Sequence, residues 1–161
     1  METRKRMAML VLLVGLVIGG CSDGGAAATG SDERPAGEVP DPCSLVDAAT
    51  LEGLAGAAPG TGVLKGVAPE QRKVCSFESG LSVAVEVAEN FDASVGLIRA
   101  SPNGSSIESV EGLGDAAIWQ DFGGGVGQVV ASGDAYFVGV TVAAGGRPAA
   151  EAVAEAMLAE L

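Results

Sequence analysis

Between Leu81 and Ala88 large apolar positions alternate with small or polar ones: Leu81, Val83, Val85 and Val87 against Ser82, Ala84, Glu86 and Ala88. A period of two places the four large residues on one face of an extended chain, so the segment predicts a half-buried strand. Residues 73–78 read the same way, with Cys75 and Phe77 sharing a face. Three more runs, 116–122, 126–132 and 135–143, are rich in residues that suit a pleated surface. Only Gly123-Gly124-Gly125 and Gly133-Asp134 separate them, so a meander is the economical connection.

Elsewhere the period changes to that of a helix. Leu45, Ala48, Leu51 and Ala55 recur at helical spacing, with Ser44 and Asp47 as capping residues in front and Gly56 as the C-cap. Phe91, Val95 and Ile98 form one face of a helix over 91–100, which Pro102-Asn103-Gly104 ends. Pro148 opens a last helix whose stripe is Ala150, Val153, Ala154, Met157, Leu158 and Leu161, with Glu151 and Glu155 facing water. Helix, strands, helix, strands, helix predicts an α+β fold: an antiparallel sheet of about five strands with two to three helices packed on it.

The amino terminus follows a different rule. Arg4, Lys5 and Arg6 precede a run, 7–18, that is apolar apart from Gly15. Twelve helical residues rise about 18 Å, short of the ~30 Å hydrocarbon core, so the run reads as a signal segment over 1–20 and not a span. Ile18-Gly19-Gly20-Cys21 then resembles the lipobox of bacterial lipoproteins. That resemblance implies cleavage before Cys21 and diacylglycerol on its thiol. The expected location is the extracytoplasmic face of the cell membrane, held by acyl chains at about 0.8 kcal/mol per buried CH₂. Residues 21–40 are rich in Gly, Ala, Ser and Pro without apolar periodicity, which predicts a flexible stalk reaching on the order of 25 Å. Residues 41–161 remain as a single domain.

Composition narrows the chemistry. The 161 residues include no His, which excludes a Ser-His or Cys-His nucleophile pair and His-ligated metal. Nine basic residues face 21 acidic ones, and loss of Arg4, Lys5, Arg6 and Glu2 with the signal leaves six against 20. Nucleic acid is therefore not an expected partner. No residue pattern calls for a cofactor or a metal. Once Cys21 is assigned to the anchor, Cys43 and Cys75 form an even pair in an oxidising compartment. A structural disulfide is favoured over a redox pair, which usually has C-x-x-C spacing, and over a metal site, which two thiolates alone serve poorly.

Asp41-Pro42-Cys43-Ser44-Leu45, then Cys75-Ser76-Phe77, then Val110-Glu111-Gly112-Leu113-Gly114-Asp115-Ala116-Ala117 fall in a recognisable order. Together with the lipobox and stalk they resemble the actinobacterial Pro-Cys-Ser-Leu lipoproteins, a domain-of-unknown-function family. Its members are similar to mycobacterial lipoproteins and to extracellular sensor domains of actinobacterial kinases. The resemblance implies a fold and a location, and carries over no catalytic residue. Phe77 stands where members often have Trp.

Gly112-Leu113-Gly114-Asp115 and the glycine run at 123–125 read as turns. The latter lacks the Lys-Ser/Thr of a phosphate loop and precedes a strand. Trp119, Phe122, Tyr136 and Phe137 lie on adjacent predicted strands, either as core or as a shared binding surface with an acidic rim favouring neutral or cationic partners. The expected function is a binding or accessory module for a small apolar ligand or an envelope protein. The alternatives are a structural or immune-facing envelope lipoprotein and, third, a carboxylate-based hydrolase.

Overall fold

Seven strands form one sheet: β1 (Gly62–Ala68), β2 (Arg72–Phe77), β3 (Ser82–Val87), β4 (Ser106–Val110), β5 (Ala116–Gly123), β6 (Val126–Ser132) and β7 (Tyr136–Val142). Their spatial order is β1-β2-β3-β7-β6-β5-β4, and every neighbouring pair is antiparallel. The computed structural model describes residues 38–68, 71–100 and 105–161. The signal segment, Cys21, the stalk up to residue 37 and the Pro102-Asn103-Gly104 stop lie outside the described residues.

The α+β class holds, and so does the β5-β6-β7 meander, but the sheet has seven strands where about five were expected. The two additions, β1 and β4, are its edges. An edge strand gains burial from one neighbour only, so its residues carry little alternation. Val63 and Leu64, successive residues of β1 on opposite faces, are both exposed. Ser106, Ile107 and Glu108 of β4 give an equally weak pattern.

Helices cover both sides of the sheet. One cross-sheet row runs Cys75, Val83, Val140, Val129, Trp119 in register. It faces the main core, which also contains Leu51 of α1 (Ala48–Ala55) and Ala150, Val153, Ala154 and Met157 of α3 (Gly146–Leu158). The small residues of α3 let its backbone lie close to the valine-rich sheet. The neighbouring row, Ala84, Gly139, Val130, Ile118, faces the other way. There Ile118, Val130 and Phe137 pack with Val95 of α2 (Phe91–Ala100), and Phe91 meets Phe137 edge-on at 5.7 Å.

Local chemistry sets the ends of α1. Asp47 is the N-cap: its Oδ1 accepts from the amides of Ala49 and Thr50, and its Oδ2 from the Thr50 hydroxyl at 2.7 Å. Ser44 does not cap; its hydroxyl donates to the Asp41 carbonyl within the preceding turn. Gly56 closes the helix at φ 73°, a left-handed conformation that glycine adopts without steric cost.

Cys43 and Cys75 are joined, with Cα atoms 5.2 Å apart, so the turn before α1 is pinned to β2. The folded region begins earlier than the expected Asp41. Val39 is 1% exposed within the main core, and Glu38 Oε1 accepts from Lys73 Nζ at 2.6 Å. A single valine among Gly, Ala and Pro has no period to betray it.

A close approach explains one glycine. A Cβ on Gly127 would lie 2.2 Å from Cζ2 and Cη2 of Trp119 and 2.7 Å from the Gln120 carbonyl oxygen, so the indole packs directly against that backbone. Cross-strand covering of a strand glycine by an aromatic ring is a known stabilising device.

Candidate functional site

The sheet face under α2 is wider than the helix. Ten helical residues span about 15 Å, whereas seven strands spaced ~4.8 Å apart span roughly 29 Å. One part of this face is therefore covered and the rest is not. At the boundary lies a groove of about 240 Å³. This is somewhat below the ~300 Å³ at which ordinary small-molecule sites begin.

Each wall has a simple origin. The floor is Ala84 of β3 and Gly139 of β7, paired in register, with Val130 and Phe137 beside them. A Cβ on Gly139 would come 3.3 Å from Gln128 Nε2 and 3.8 Å from the Ala84 Cβ, so the missing side chain is what leaves the floor low. Ser94, Leu97 and Ile98 of α2 form the opposite wall. Leu97 is 75% exposed, a large apolar side chain with little cover of its own. Arg72 and Glu86, directly paired across β2 and β3, close one end, with Arg72 Nε 3.6 Å from Glu86 Oε2. Gln128 adds the remaining polar group. The arrangement is a trough of apolar residues with four polar side chains, Arg72, Glu86, Ser94 and Gln128, able to hold a small amphiphilic molecule.

A second depression, about 310 Å³, lies among Gly114, Asp115, Gly133, Asp134, Tyr136, Leu158 and Leu161. Its turn backbones are already engaged: the Asp115 amide donates to Ser132 and the Gly133 amide to Tyr136. Gly114 is required there, since a Cβ would sit 2.1 Å from the Ser132 carbonyl oxygen. The Gly-Leu-Gly-Asp segment is thus a turn that also delivers Leu113 to the core. Two charge clusters are structural. Lys73 holds the Glu38 carboxyl below its ordinary pKa. Glu151, then Glu108, raise that of Arg147, which ties α3 to the edge strand β4. Among the described residues no three acidic or cysteine side chains converge as a metal cage would require.

The four aromatics expected to share a surface do not meet. Trp119 is buried in the main core and Tyr136 packs partly against it, whereas Phe137 lies in the smaller core on the opposite face. Phe122 is exposed near the β5–β6 turn. The reason is parity. Tyr136 and Phe137 are consecutive on one strand and must point to opposite faces. Only Phe137 reaches the groove. The groove residues missed in the sequence include Arg72, Ala84, Glu86, Leu97, Gln128 and Gly139. One signal was present: an isolated glycine, Gly139, inside an otherwise continuous strand pattern marks close approach or open space.

No protein-family model, curated protein or solved structure matches the chain. Among the described residues no helix is long and apolar enough to cross a membrane.

Proposed function

We propose that the chain is a lipid-anchored extracytoplasmic binding module of the Pro-Cys-Ser-Leu lipoprotein type, holding a small, mainly apolar molecule between α2 and the sheet. The anchor rests on the charged start, the apolar run at 7–18 and Cys21 after Ile18-Gly19-Gly20. The binding role rests on one observation: a trough floored by Ala84 and Gly139 and walled by the exposed Leu97, where apolar surface stays open beside polar groups.

Two measurements test the two halves. Cys21→Ala abolishes metabolic labelling by a radioactive fatty acid; a wild-type protein that takes up no label ends the anchoring proposal. For the groove, 2-phenylethanol titrated into the full-length protein shifts the backbone amide resonances of Ala84 and Gly139. Gly139→Val fills the floor and lowers that affinity at least ten-fold while leaving the thermal transition in place. Absence of those shifts in the wild type overturns the binding role.

A further inference from the structure

We infer that the groove selects a small apolar molecule carrying a carboxylate, and that Arg72 is the residue that reads it. The inference rests on the binding role proposed above and specifies the ligand's head group.

The described cations are not in equal states. Lys73 meets Glu38 at 2.6 Å, and Arg147 is held by Glu151 at 2.5 Å and Glu108 at 2.9 Å. Lys65 and Arg99 make no ion pair among the described residues, and neither lines the groove. Arg72 does line it, and is only loosely paired. Among the described residues its one ion pair is the Nε–Glu86 contact at 3.6 Å, well beyond the ~2.7–2.9 Å of a charge-assisted hydrogen bond. Its two terminal nitrogens make no hydrogen bond among those residues, and the side chain is 46% exposed at the groove's end. Glu86, only 13% exposed, lies against the Nε edge. A guanidinium flanked on that edge, with its terminal fork unpaired among the described residues, matches the planar geometry of a carboxylate. The apolar remainder of the ligand then lies along Ala84, Gly139 and Leu97.

Net charge alone argues for the opposite preference, because the chain as a whole repels anions. Range decides between them. Exposed charges beyond about 8 Å are largely screened at physiological ionic strength, whereas a paired fork acts in contact. Arg72 is the basic residue lining the trough.

Three probes with nearly the same apolar body separate the alternatives: 3-phenylpropionate, 2-phenylethanol and 2-phenylethylammonium. Each is titrated into the full-length protein, with the Ala84 and Gly139 amides as reporters. The carboxylate is expected to bind at least ten-fold more tightly than the ammonium and several-fold more tightly than the alcohol. Arg72→Gln removes the preference, bringing the carboxylate down to the level of the alcohol. If the alcohol shifts Gly139 while the carboxylate binds no better, or Arg72→Gln changes nothing, the groove stands and the carboxylate assignment falls. A preference for the ammonium overturns it equally and makes Glu86 the reading residue. If no probe shifts Gly139, the binding role falls with it.

Discussion

Removing the Cys43–Cys75 bond should cost the domain a large share of its stability. The two cysteines are 32 positions apart, and closing a loop of that length restricts the unfolded chain by about 3.7 kcal/mol at 25 °C in the chain-entropy account. Domains of this size are typically stable by only ~5–15 kcal/mol, so the loss would be a large fraction of the whole. The cleanest perturbation is reduction, which leaves every other atom in place. Cys43→Ala with Cys75→Ala is the mutational counterpart, and adds a small void because Cys75 is fully buried. Trp119 is the chain's one tryptophan and sits in the main core, so its fluorescence reports global unfolding. With a urea m-value of about 2 kcal/mol/M, the midpoint should fall by roughly 2 M on reduction. The measurement belongs in a Cys21→Ser background, so that only the paired thiols respond. Coincident urea midpoints for the oxidised and reduced chains would refute the reasoning. So would two titratable thiols in the native, unreduced protein.

Three other outcomes follow from particular contacts. Gly127→Ala drives a methyl into the Trp119 indole and should cost about 1–3 kcal/mol, read as a lower urea midpoint; an unchanged midpoint would mean the ring does not lie there. Phe137→Ala should cost about 3–5 kcal/mol, as for other buried aromatics, and Phe122→Ala should stay within ~0.5 kcal/mol, a contrast that calorimetry would reverse if Phe137 were a surface residue. The Thr50 hydroxyl and nearby amides favour the charged form of Asp47, lowering its pKa from the ordinary 3.8. Its contribution is therefore complete above that value and lost as pH falls through the lowered one, so Asp47→Ala should lower the urea midpoint at neutral pH by more than at about pH 2. An equal loss at both would exclude the carboxylate's charge as the cause.

Much of the groove was hidden because its residues contradict no pattern. Ala84 and Glu86 occupy the small or polar positions of the alternation at 81–88, and such positions normally face water. Nothing local says that a ten-residue helix will cross that face and cover only part of it. Glu38 and Val39 escaped for a related reason: one apolar residue in a stretch of Gly, Ala and Pro has no partner in the sequence, only in space. The aromatics failed on parity. Closeness in sequence put Tyr136 and Phe137 together, and the pleat put them apart.

The sequence by itself determined the buried faces of β3, α2 and α3. Period two in β3 and the 3.6 period in α2 and α3 are consequences of backbone geometry, which acts over a few residues and needs no distant partner. Capping by Gly56 belongs to the same local class, as does the turn chemistry of the glycines at 123–125. The edge strands β1 and β4, the docking of Val39, the placing of α2 opposite α1 and α3, and the meeting of Arg72, Glu86, Leu97 and Gly139 were decided only in the tertiary structure. These depend on which surfaces remain unsatisfied after the strands have paired, a property of the assembled sheet and of no single segment.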